Sequence, residues 1–79
     1  MVIIVDYSLN NIFSVKSSLD FMNIKCKVSN NPEEISKASH IILPGVGSFY
    51  AAMQNLKYNK IDRAIQDASK KGSQILGIC

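Results

Sequence analysis

Short apolar runs alternate with helix-spaced stripes along this chain. Val2-Ile3-Ile4-Val5 is a continuous run rich in β-branched residues, which suits a parallel strand buried on both faces. Asn10 or Asn11 can then cap a helix. Ile12, Val15, Leu19 and Met22 follow at steps of three, four and three and form one apolar stripe. Ile24-Lys25-Cys26-Lys27-Val28 alternates, predicting a strand with one solvated face near a sheet edge. Asn31-Pro32-Glu33-Glu34 opens a short helix: Asn31 caps, Pro32 suits the first helical position, and Glu34 can reach back to the cap. Ile41-Ile42-Leu43 is another buried strand, broken by Pro44-Gly45-Val46-Gly47. Phe49, Ala52, Met53 and Leu56 share one helical face. Ile61, Ala64, Ile65 and Ala68 mark a further helix, with Asn59 able to cap it and Gly72 stopping it. Gln74 to Ile78 predicts a last buried strand.

Strands alternating with helices imply an α/β fold with a mostly parallel sheet and helices on both faces, joined by right-handed crossovers. Ligands of such sheets bind outside the carboxyl ends of the strands. Three segments fall there and should share one rim: Asp6-Tyr7-Ser8, Pro44-Gly45-Val46-Gly47, and Cys79. The chain ends just past what reads as a core strand. Residues 1–79 are therefore expected to be the N-terminal part of a single domain.

Composition narrows the class. With 79 residues and 47% hydrophobic content there is room for one small domain. The net charge of +3 comes from lysines scattered among acids. Neither a basic stripe nor interleaved aromatics points to nucleic acid. Phe13, Phe21, Phe49, Tyr50, Tyr58, Met22 and Met53 fall on or beside apolar stripes and read as core or interface packing. The first apolar run is far shorter than the ~20 residues of a membrane span. Cys26 and Cys79 have no metal-ligand spacing. A cytoplasmic protein with reduced thiols, bound neither to membrane nor to metal, is the expectation.

Cys79 follows Gly77 and Ile78, so its thiol stands at the end of a strand. A helix starting there would favour the thiolate through its dipole, and a small residue two places earlier lets an elbow turn sharply. A buried structural cysteine fits the same position, and position alone leaves the two readings even. Pro44-Gly45-Val46-Gly47 can bring backbone N–H groups close to a developing oxyanion, since glycine permits close approach and proline fixes the entry. A plain strand-to-helix turn fits equally. His40, the only histidine, precedes its strand. At about 3.3 Å per residue it lies more than about 10 Å from the rim, beyond the reach a general base needs. Asp6 suggests a receiver domain, but Leu43-Pro44 stands where an acceptor aspartate would end the third strand. Ser8-Leu9-Asn10-Asn11 is a poor flavin phosphate loop. Helix capping and turn formation suit these residues better.

Taken together, Asp6-Tyr7-Ser8-Leu9-Asn10-Asn11-Ile12, Leu43-Pro44-Gly45-Val46-Gly47-Ser48-Phe49 and Leu76-Gly77-Ile78-Cys79 resemble the glutaminase subunits of imidazole glycerol phosphate synthase, class I glutamine amidotransferases with a flavodoxin-like sheet. The resemblance runs through the whole chain in order and spacing. It implies a Cys–His–Glu glutaminase in which Cys79 attacks the glutamine side-chain amide. Val46 and Gly47 would supply the oxyanion hole, with Pro44 and Gly45 supporting the loop. Asn11 would lie near the partner interface. The resemblance further implies a cyclase partner with a (β/α)8 barrel, forming a heterodimer, that joins the released ammonia to a phosphoribulosyl formimino substrate in histidine biosynthesis. No cofactor is implied. The chain departs from the family at Ser8 and Asn10, where glycine is usual. A paralogue feeding a sugar amidotransferase of surface polysaccharide synthesis is the alternative, and a non-catalytic α/β binding module is a second. The His and Glu have no counterparts in these 79 residues, so the isolated chain is expected to be inactive.

Overall fold

The computed structural model describes residues 1–6, 12–45, 54, 57 and 60–78. In chain order the elements are β1 (Val2–Val5), α1 (Ile12–Phe21), β2 (Cys26–Ser29), α2 (Pro32–Ser36), β3 (His40–Pro44), α3 (Ile61–Lys70) and β4 (Gln74–Ile78). The strands form one parallel sheet in the order β2-β1-β3-β4. The α/β class and the alternating order are those the sequence implies. The predicted helix through Phe49, Ala52, Met53 and Leu56 lies outside the described residues, as do Tyr50 and Tyr58.

Strand β1 is central, and its alternation divides the core. Ile3 and Val5 point to one face, where they join Ile35, Ala38, Ile41, Ile61, Ala64 and Ala68 beneath α2 and α3. Ile4 points to the other, where it meets Leu19 and Ile42 beneath α1. Helices therefore lie on both faces. The placement follows from handedness: β1 to β2 steps one way along the sheet, while β2 to β3 and β3 to β4 step the other.

The helix ends are built from local rules. Asn31 caps α2 by accepting from the Glu33 N–H at 2.9 Å. Glu34 does not reach back to the cap as the sequence suggested. Its carboxylate takes the Ser29 hydroxyl at 2.9 Å and the Lys27 ammonium, while the Asn31 N–H donates to Ser29 Oγ at 3.1 Å. A charged partner on the adjacent strand outcompetes a neutral backbone donor. Gly72 ends α3 as expected, with φ +98. The Gly72 N–H donates to the Ser69 carbonyl, and Ser73 N–H to that of Ala68, a complete Schellman closure. Asn23, with φ 59, closes α1 the same way through Asn23 to Asp20 and Ile24 to Leu19 bonds. Ile24 therefore belongs to a helix cap, and β2 starts at Cys26, two residues later than the alternation suggested. At α3 the cap position is Lys60, with φ 60 and no side-chain bond; Asn59 lies outside the described residues.

The core does not take up every apolar residue that the stripes and runs offered. Phe13 and Phe21 are 81% and 89% exposed, and Met22 falls in the turn after α1. α1 turns only Ile12, Val15 and Leu19 inward, so its flanking aromatics face outward. Strand β4 is not buried: Ile75 and Leu76 are 40% and 56% exposed. Among the described residues it is an edge strand, paired on one side with β3. β2 is the other edge, as its alternation indicated.

α2 has five residues, too few to be stable alone, and Ile35 is its single buried residue. Ile35→Ala should cost about 2–5 kcal/mol of unfolding free energy. Phe21→Ala should change it by less than about 0.5 kcal/mol. Urea denaturation followed by circular dichroism measures both.

Candidate functional site

The strand order reverses direction between β1 and β3. In parallel sheets this switch point is where a crevice opens above the carboxyl ends. β1 leads there into Asp6 and β3 into Gly45. Two residues on from the paired Ile4 and Ile42, along either strand, stand Asp6 and Pro44. Pro44 is in turn the register partner of Ile78. Asp6, Pro44 and Ile78 thus form one row at the top of three adjacent strands. Pro44 is buried and Gly45 half-buried, so the start of the glycine loop is anchored by packing.

The remaining predicted site residues, Cys79, Val46, Gly47 and Asn11, lie outside the described residues. In sequence, Cys79 follows Ile78, and Val46-Gly47 follow Gly45. The two segments that carry the candidate nucleophile and the candidate oxyanion donors therefore leave neighbouring, hydrogen-bonded strands at the same level. Gly77, proposed as the small residue of an elbow, lies within β4, and a Cβ there would meet nothing within 4 Å.

On its β2 side the rim is fastened by a polar network that sequence reading missed. The Asp6 N–H donates to the Ser29 carbonyl at 2.9 Å. Ser29, 7% exposed, is the buried polar residue of the described set. Its hydroxyl donates to Glu34 and accepts from Asn31 N–H. The clue in the sequence is a serine ending an alternating strand two residues before a helix cap. The Lys27 hydrogen bond above all, and then that of Ser29, hold the Glu34 carboxyl below its ordinary value of 4.5.

His40 opens β3 at the opposite end of the sheet, exposed, with Nδ1 3.0 Å from Ser39 Oγ. It is not part of the rim, as its sequence position indicated. Cys26 is a free, half-buried thiol packed against the core beneath α1. Among the described residues no group of three or more His, Cys, Asp and Glu could hold a metal ion, and no helix is long and apolar enough to cross a membrane.

The Glu34 network yields a prediction. Its folded pKa lies below the unfolded one, so its stabilising effect is complete above about pH 4.5 and is lost as the pH falls through the lowered folded value. Glu34→Gln should flatten the decline of the urea midpoint between about pH 6 and pH 3. An undiminished acid dependence would assign that decline to other groups.

No family model matches the chain. Among curated proteins, it is 44% identical over all 79 residues to imidazole glycerol phosphate synthase subunit HisH of Bacillus subtilis, of which it covers 37%. The subunit of the same name from Bacillus velezensis is also 44% identical, with 37% of its length covered. That of Listeria monocytogenes serotype 4b is 38% identical, with 38% covered. The chain thus spans little more than a third of the length of the relatives it matches.

Proposed function

We infer that this chain, which belongs over its whole length with the HisH subunits of imidazole glycerol phosphate synthase, is part of a glutaminase that releases ammonia from glutamine for histidine biosynthesis. One observation carries the reading. The segments matching the nucleophile and oxyanion loop of that family leave the paired residues Ile78 and Pro44, beside the switch point of a parallel sheet.

In this reading Cys79, as thiolate, attacks the side-chain carboxamide carbon of glutamine. The carbonyl oxygen becomes an oxyanion held by backbone N–H groups of Val46 and Gly47. Pro44 and Gly45, packed at the end of β3, set where those donors point. Collapse of the tetrahedral adduct expels ammonia and leaves a glutamyl thioester, which water hydrolyses to glutamate and the free thiol. A proton must be supplied to the departing amine and removed from the water. His40 stands at the wrong end of the sheet for this. The resemblance assigns the acid and base work to a His and a Glu that have no counterparts in these 79 residues, so the isolated chain has no turnover of its own. Ammonia passes to a cyclase partner of (β/α)8 barrel fold, with Asn11 on the face that meets it. The reaction uses no cofactor and is placed in the cytoplasm.

The test uses the whole protein, at the relatives' length, with its synthase partner. Cys79→Ala should abolish glutamine-dependent turnover and spare turnover on added ammonia. Loss of both, or of neither, would sink the assignment. Val46→Pro removes one backbone donor and should slow glutamine hydrolysis by about 10²-fold or more; an unchanged rate moves the oxyanion site elsewhere.

A further inference from the structure

Ser29 is a junction of three elements. It ends β2, opposite Val5 in the parallel register. Its carbonyl accepts the Asp6 N–H at 2.9 Å, where β1 leaves the sheet. Its hydroxyl donates to Glu34 of α2 at 2.9 Å and accepts the Asn31 N–H of the helix cap at 3.1 Å. Lys27 holds the other carboxylate oxygen of Glu34. The exit of β1, the end of β2 and the start of α2 therefore meet at one buried residue.

The charge on Glu34 sets this fastening apart. At the opposite end of the sheet Ser39 donates to the Met1 carbonyl and Ser73 to that of Ala38. Those acceptors are neutral, and a carboxylate acceptor makes a bond roughly twice as strong. A buried polar group whose partners are present also stiffens its surroundings. Among the described residues, the end of the sheet that faces a ligand is thus the one fastened through a charged group.

What Ser29 holds lies next to the glycine loop. Asp6 and Pro44 each stand two residues beyond the paired Ile4 and Ile42, on neighbouring strands about 4.8 Å apart. Pro44 pairs on its other side with Ile78. The end of β1 therefore stands alongside the start of the loop that continues from Gly45. Donors aimed at a developing oxyanion need their place kept closely, and a misplacement of about 1 Å costs on the order of 10²-fold in rate.

We propose that Ser29 is a positioning residue for the glutaminase site: the bonds of its hydroxyl to Glu34 and Asn31 fix the end of β1 beside Pro44 and Gly45, and through it the placement of the oxyanion loop. This rests on the function inferred above. Ser29 touches no reacting atom and acts through Asp6. The oxyanion forms only along the reaction path, so loss of the hydroxyl falls on kcat rather than KM.

The experiment again takes the whole protein with its synthase partner. Ser29→Ala should lower kcat for glutamine-dependent turnover about tenfold, with KM changed less than about twofold. Ser29→Thr keeps the hydroxyl and should stay within about twofold of the parent. Turnover on added ammonia should be unchanged in both. Hydrogen exchange followed by NMR reads the junction directly: the Asp6 N–H should exchange about tenfold faster in Ser29→Ala. Ile65→Ala removes packing from α3 without touching the junction. It should lower the urea midpoint and leave kcat alone, which separates positioning from general loss of stability. If Ser29→Ala does not fold, Glu34→Gln carries the test, since it weakens the same bond by removing the charge; kcat should then fall about threefold. An unchanged kcat in the variant that folds, a loss that Ser29→Thr fails to rescue, or an equal loss in Ile65→Ala overturns the proposal. Cys79→Ala, measured alongside, tells the two readings apart. If it abolishes glutamine turnover while Ser29→Ala leaves kcat intact, only the positioning role falls. If it leaves turnover in place, the glutaminase reading falls and the positioning role with it.

Discussion

The two-sided burial of β1 organises everything else. Four residues place Ile3 and Val5 against one layer of helices and Ile4 against the other, and the strand pairs in parallel with β2 on one side and β3 on the other. Parallel neighbours require crossovers, and crossovers have one hand. Once β1 is central, the side taken by each helix and the end of the sheet facing a ligand are fixed. A polar residue at Ile4 would open the α1 side of the core, where, among the described residues, only Leu19 and Ile42 are buried with it.

The candidate site inherits its geometry from that arrangement. Asp6, Pro44 and Ile78 come to one level because the strands run parallel in a fixed register, not because any of them attracts another. The switch point lies between β1 and β3, which send their connections to opposite sides of the sheet. Ser29 and Glu34 add a second constraint. They fasten the start of α2 to the end of β2 and occupy polar groups that would otherwise compete for water at the rim.

Much of this was legible in the residues. The β-branched run at Val2–Val5 and the alternation around Cys26 gave the centre and one edge of the sheet, because a parallel strand's burial is written in its own side chains. The Asn31-Pro32 signal and Gly72 marked helix ends through local bonding alone. Partners set by tertiary pairing were not legible. Glu34 has the sequence of a capping box, yet its bond goes to a lysine on a neighbouring strand. Gln74–Ile78 has the composition of a core strand but lies at an edge, and composition does not say whether a second layer is present. Asn23 was overlooked because a left-handed asparagine does in a helix stop what glycine usually does. The Leu43–Phe49 and Leu76–Cys79 segments pointed to the family that the relatives bear out, though Val46, Gly47, Cys79 and Asn11 themselves lie outside the described residues.

The difference between the two edges bears on how the chain is made. Among the described strands, β2, second off the ribosome, forms one border and carries Lys27, and β3 and then β4 are laid down on the opposite border. The sticky border is thus always the strand most recently synthesised, and the nearest material able to pair with it is the polypeptide still emerging. From β1 through β4, a sheet that grows on one side in the order of translation keeps its newest edge beside its own next segment.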